Sequence, residues 1–175
     1  IIMPLFGASY AKATFTPKHP EKCLNTNGKC DKPLPQMRSS WEMIVANFCD
    51  LEENVLQWGS EVVEIPYYSN IDGKSHRYIT DFVLLTQNRQ GEKEKWLVEV
   101  KPLSQVPQLN EFGQIVFPEL KKDKKLTQSR IDRWHEMCNV LKKNHEKWTA
   151  ARKWAKDNGY HFKLITEKEL GKLNK

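Results

Sequence analysis

Between residues 55 and 101, three runs rich in β-branched and aromatic residues (55–68, 76–86 and 95–101) are separated by two turn signals, Asn70-Ile71-Asp72-Gly73 and Asn88-Arg89-Gln90-Gly91. Such runs suit a pleated, half-buried surface, and Asn, Asp and Gly supply the backbone angles of tight turns. The spacing predicts two successive hairpins, an antiparallel meander. In the third run Leu97, Glu99 and Lys101 share one face while Trp96, Val98 and Val100 share the other. Apolar residues on both faces mean that both are at least partly covered.

Helices provide the cover. Trp41, Ile44, Val45 and Phe48 recur at i, i+3, i+4 and i+7, which predicts a helix ending near Cys49 or Asp50, with Ser39 and Glu42 as its capping box. After the strands, one apolar stripe runs through Ile131, Trp134, Cys138 and Leu141. A second, separate or continuous with it, runs through Trp148, Ala151, Trp154 and Ala155 to a stop at Gly159. Tyr160, Phe162 and Leu164 alternate as a last strand, and Thr166 with Glu169 caps a short helix over 167–173. The order helix, strand, strand, strand, helix, strand predicts an α/β (α+β) domain over 39–175 with a mixed central sheet flanked by helices. Residues 1–38, with Pro17, Pro20, Pro33 and Pro35 and no sustained period, read as an N-terminal arm. The stretch 102–125 reads as a long loop, a possible flap, since compact domains carry such lengths only for a functional reason.

A chain of 175 residues with 39% hydrophobic and 29% charged residues has material for one core, which excludes disordered and fibrous classes. No window reaches the ~18 apolar residues of a membrane span, and residues 1–10 lack a signal's basic flank, so a soluble, unexported protein is expected. Four irregularly spaced cysteines fit a reduced compartment; Cys23 and Cys30, near His19, lack the short chelate spacing of a zinc knuckle. The net charge of +6 is uneven: residues 101–175 hold 17 Lys and Arg against nine Asp and Glu, whereas residues 1–100 hold 11 against 13. A basic half points to a polyanion such as nucleic acid. Lys121, Lys122, Lys124 and Lys125 are its densest cluster and candidates for phosphate attraction, the bland alternative being a solvated face.

Chemistry concentrates where strands that ought to bury apolar groups carry ionisable ones. Asp81 falls in register with Ile79 and Val83, and Glu99 and Lys101 follow Leu97 on the hairpin partner. Carboxylates from paired strands can meet at one cation, with the Val100 carbonyl as a further ligand, which suits Mg²⁺ with Mn²⁺ as substitute. Lys101 would orient or deprotonate an attacking water and offset charge on the phosphorane. Taken singly, each charge could instead be an exposed strand position or an edge device against aggregation. Glu42 suits a helix cap and equally suits a place beside the carboxylates. Arg77, next to the carboxylate strand, is a phosphate candidate or a solvent-facing residue.

Glu42 on the first helix, Asp81 within His76-Arg77-Tyr78-Ile79-Thr80-Asp81-Phe82, and Glu99-Val100-Lys101-Pro102 resemble the PD-(D/E)xK restriction-endonuclease-like nucleases, whose αβββαβ core the element order matches. Thr80 stands where that motif has proline. Arg38-Ser39-Ser40-Trp41-Glu42, Trp58-Gly59-Ser60-Glu61 through Ile65-Pro66-Tyr67, Asp72-Gly73, His76-Arg77-Tyr78, and Phe162-Lys163-Leu164-Ile165-Thr166-Glu167-Lys168-Glu169-Leu170 are more closely similar to the head-completion nucleases of T-even-like tailed bacteriophages. That likeness covers about residues 38–170 outside the insert after Pro102. The helix Glu, strand Asp and Glu-x-Lys arrangement is also similar to that of transposon end-cleaving nucleases.

The resemblance implies a Mg²⁺-dependent DNA endonuclease or end-trimming nuclease acting on double-stranded DNA in phage head completion. Glu42, Asp81, Glu99 and Lys101 would be catalytic, with Asp81 and Glu99 as metal ligands. Lys147, on the helix after the sheet, would approach the cleft. Portal or neck proteins would be partners, in the host cytoplasm during assembly or in the virion. The rival readings are a non-catalytic head–neck adaptor that keeps the fold, and a transposon end nuclease that works with a partner subunit.

Overall fold

The structure, a computed structural model, describes residues 12–26, 33–120 and 126–173. Its elements are β1 (Ala13–Thr14), β2 (Gln36–Met37), α1 (Ser40–Leu51), β3 (Val55–Ser60), β4 (Glu64–Ser69), β5 (Lys74–Ile79), β6 (Phe82–Gln87), β7 (Lys93–Val100), β8 (Gln108–Leu109), β9 (Ile115–Val116), α2 (Gln128–Asn158), β10 (His161–Ile165) and α3 (Glu167–Leu173). The central sheet runs β10-β7-β6-β3. β3 with β6 and β6 with β7 are antiparallel, and β10 returns through α2 to lie parallel to β7. This is the mixed αβββαβ core, with β4–β5 set into it as a separate two-stranded sheet.

The first two extended runs each split in two, so the meander bends. Glu61 takes φ 55, a left-handed conformation that ends β3, and the facing strand breaks at Thr80-Asp81. The two breaks are laced together, the Glu61 amide donating to the Asp81 carbonyl at 3.2 Å and the Thr80 amide to that of Val63 at 3.1 Å. Asp81 therefore sits in the bend between β5 and β6 rather than inside an apolar row, and Ile79 beside it is exposed.

Each face of the central sheet carries its own core. Phe82, Leu84, Val98 and Val100 pack with Val45, Ala46 and Cys49 of α1 and Leu170 of α3. Val83 and Leu97 pack with Trp148, Ala151 and Ala155 of α2, together with Ile65 and Tyr78 of the β4–β5 hairpin. Alternation along β7 thus sends Val98 and Val100 to one layer and Leu97 and Glu99 to the other. α2 is one unbroken helix of 31 residues, about 46 Å long at 1.5 Å per residue. Gly159, at φ 72, closes it by donating to the Ala155 and Lys156 carbonyls.

The arm adds to the first core. Phe15 meets Trp58 edge-on at 5.5 Å, and Cys23 and Met37 are buried beside it. The buried Asp50 carboxylate accepts from the Lys18 amide at 2.7 Å, while Lys22 Nζ reaches the carbonyls of Asp50 and Glu52 at the end of α1. Leu24 donates its amide to the Trp58 carbonyl, so the arm runs against β3 at Gly59. A Cβ there would lie 2.9 Å from Val62 Cγ2 and 3.1 Å from Leu24 Cβ, which is why glycine occupies that position.

The described part of the stretch after β7, residues 102–120, is held against α2. A 3₁₀ turn (Leu103–Gln105) and the β8–β9 hairpin are held by Asn144 Nδ2 on the Gln105 carbonyl at 2.9 Å and Trp134 Nε1 on the Pro118 carbonyl at 2.7 Å. Among the described residues no helix is long and apolar enough to cross a membrane.

Candidate active site

Asp81 comes from the β5–β6 bend and Glu99, Val100 and Lys101 from the end of β7, and the fold brings them together. The Lys101 ammonium lies 3.0 Å from Glu99 Oε1, 3.2 Å from Asp81 Oδ2 and 3.2 Å from the Val100 carbonyl. Asp81 Oδ2 also accepts the Val100 amide at 2.8 Å, which fixes its carboxylate against β7. Glu99 is almost wholly buried, its side chain 4% exposed, and its other oxygen accepts from the Tyr78 hydroxyl at 2.6 Å. Tyr78 is the one buried residue of β5.

Electrostatics follow from this packing. Burial, with the like charge of Asp81 added, pushes the Glu99 carboxyl above its usual range against the pull of Lys101 and Tyr78. Burial alone would lower Lys101, but Asp81 and Glu99 together raise it well above an ordinary lysine. The ammonium therefore stays charged at neutral pH. Burial and then the Glu99 charge raise Tyr78, so its hydroxyl stays a donor. The Trp148 indole N–H approaches the same hydroxyl, off the geometry of a proper hydrogen bond.

Glu42 does two things at once. Its carboxylate accepts from the Arg38 amide at 2.8 Å and the Ser39 hydroxyl at 3.1 Å, while its own amide donates to Ser39 Oγ at 3.1 Å, a variant of the capping box in which the return bond goes to the amide before the N-cap. The carboxyl is raised by burial, with Asp81 adding to the rise and Arg38, Ser39 and Lys101 opposing it. Glu42 thus stands within electrostatic reach of the cluster without touching it.

Lys147 on α2 lies over the Tyr78 ring, 5.7 Å from its centroid, and is lowered by burial against the charges of Glu99 and Asp81. It faces the site. Arg77 points outward, its side chain 76% exposed and 3.4 Å from Glu64. Lys121, Lys122, Lys124 and Lys125 lie outside the described residues. Tyr78 was not among the expected site residues; its one signal is a large aromatic two positions before Thr80, which reads as packing.

The donor set suits a hard divalent cation. Three oxygens already surround one positive charge, the Lys101 ammonium. Among the described residues no three His, Cys, Asp or Glu side chains form a full metal cage. A cation here would complete its shell with water and substrate oxygen, which is the habit of Mg²⁺.

Over 136 residues the chain is 28% identical to the head completion nuclease of Enterobacteria phage T4, covering 78% of this chain and 81% of that protein. Residues 52–167, which span every element from β3 to β10 and include Asp81, Glu99 and Lys101, match the family described as TnsA-like endonuclease N terminal. With more than half of its length inside that match, the chain belongs to the TnsA-like endonuclease N-terminal family.

Proposed function

We propose that the chain is a divalent-metal-dependent deoxyribonuclease of phage head completion, hydrolysing phosphodiester bonds of double-stranded DNA at Asp81, Glu99 and Lys101. The observation that carries this reading is the cradle of three oxygens, two of them carboxylate, at 3.0–3.2 Å from one ammonium. Asp81, Glu99 and the Val100 carbonyl would hold Mg²⁺, with Mn²⁺ as substitute. When bound, the cation supplies charge to the phosphate oxygens and a water of lowered pKa.

The chain's own groups do the rest. Tyr78 and the Val100 amide hold the two carboxylates in place before substrate arrives. Lys101, kept protonated by its neighbours, donates to the attacking water or to the phosphate rather than withdrawing a proton. Glu42 adds negative charge at the cluster from its place in the helix cap. Lys147 and Arg77 attract the DNA backbone. The head-completion setting, and portal or neck proteins as partners, rest on the phage relative. A non-catalytic adaptor would gain no stability from a carboxylate pair with Glu99 buried and Asp81 half-buried, because desolvating such charges costs stability.

The test is cleavage of supercoiled plasmid by the purified protein. Nicking or linearisation is expected with Mg²⁺ or Mn²⁺ and none with EDTA. Asp81→Ala should cut at least about 100-fold more slowly while melting cooperatively. Full activity in that variant would overturn the assignment.

A further inference from the structure

The β4–β5 hairpin leans on α2 and encloses a cleft of about 270 Å³ between them. Glu146 clamps the two together, accepting from Ser69 Oγ at 2.7 Å and the Asn70 amide at 2.8 Å. Lys143 and Lys147, one helical turn apart on α2, line one wall, and His76 on β5 lines the other, with Arg77, exposed and 3.4 Å from Glu64, at its rim. Asp72 also lines the cleft, but its carboxylate is engaged by His76 Nε2 at 2.8 Å and the Lys74 amide at 3.2 Å. The ring of Tyr67 is stacked on His76, 5.6 Å between centroids. The cleft therefore offers positive charge more than a platform for bases.

We infer that this cleft is a phosphate subsite, in which Lys143 and Lys147, with the exposed Arg77 at the rim, grip the backbone of the DNA flanking the scissile bond. The inference rests on DNA being the substrate of the carboxylate cluster, and continuity with that cluster is what selects DNA over a small anion. Lys147 lies over Tyr78, and Tyr78 donates to Glu99, so one wall of the cleft ends at the cluster. The volume falls below the ~300–1,000 Å³ of sites that enclose a whole small molecule, and fits a segment of backbone whose remainder stays outside. Since the chain bends at Thr80-Asp81, His76 and Arg77, which precede Asp81 by four or five residues, lie at most roughly 13–17 Å from it at strand rise. That is at most about four or five nucleotides at 3.4 Å each.

The test is fluorescence anisotropy of a labelled duplex in EDTA, with every variant built on Glu99→Gln so that binding is read without cleavage. Lys143→Gln with Lys147→Gln should lower the slope of log K against log salt by about 1–2. Lys153→Gln with Lys156→Gln, which removes the same charge from the exposed far end of α2, should leave the slope in place. An unchanged slope in the cleft pair, or an equal fall in both pairs, would overturn the inference. If the cleft pair fails to fold, Lys143→Gln alone decides, since that side chain is exposed: the slope falls by about 1 or the subsite is wrong. Wild-type protein that never cuts plasmid would sink the nuclease reading while leaving a cleft-specific slope intact, so the two failures are separable.

Discussion

An ammonium wedged between two carboxylates is stable only as a set, and removing one member reveals what the others cost. Lys101→Met leaves Asp81 and Glu99 facing each other, 19% and 4% exposed, without their counter-charge. In EDTA this should destabilise the protein by on the order of 3 kcal/mol, lowering the melting temperature by about 6–12 °C. Mg²⁺ should restore the melting temperature but not the cleavage, which should remain about 100-fold or more below wild type. A variant whose melting ignores Mg²⁺ would show that the cradle does not take the cation. Glu99→Gln should act in the opposite direction. The folded state holds the Glu99 proton more tightly than the unfolded chain does, so its contribution is complete below the ordinary value of 4.5 and is lost as pH rises through the raised value. In EDTA the variant should match wild type in mild acid and melt progressively higher than wild type toward pH 8, with cleavage lost. Lower stability than wild type at pH 8 would show that ionised Glu99 is not penalised.

The arm and the helix it anchors give a different kind of prediction. Asp50, 1% exposed, accepts the Lys18 amide and, at 3.3 Å, that of His19. Asp50→Ala should therefore cost about 1–3 kcal/mol, the penalty for orphaned buried donors, seen as a lower denaturation midpoint with the plasmid-cleavage rate intact. Abolished cleavage in a folded Asp50→Ala protein would mean that the arm shapes the site. That Asp81, Glu99 and Lys101 come together could be read in the sequence because charges flanked by apolar residues stand out, although Asp81 lies in a bend and not within an apolar row. The capping box of α1 and the Gly159 stop could be read because both are local. The breaks at Glu61 and Asp81 could not: neither carries Gly or Pro, and each is set by the other across the sheet and by the arm passing Gly59. Tyr78 escaped for the same reason, since a strand tyrosine signals packing until its partner 21 residues away is known. The cleft was equally hidden, its lysines lying more than 60 residues from the strand they face.

Two cores on opposite sheet faces make the sandwich cooperative, whereas the β4–β5 hairpin joins it through one face and one clamp. Ile65 and Tyr78 pack under Trp148, and the hairpin's far end hangs on Glu146 through Ser69 and Asn70. Segments with few buried contacts open at lower free energy than the core. Glu146→Ala should thus speed amide exchange in residues 66–77, by about one to two orders of magnitude for the ~1.5–3 kcal/mol that hydrogen bonds to a charged group contribute. The amides of β6 and β7 should keep their rates, because their exchange awaits global unfolding. The same variant should raise the DNA concentration needed for half-maximal cleavage and leave the maximal rate nearly unchanged, since the carboxylate cluster sits on the sandwich side of the bend. Uniform acceleration of exchange across β4–β7 would instead place the hairpin inside the cooperative unit, and a fall in the maximal rate alone would show that the clamp acts on the cluster rather than on the grip.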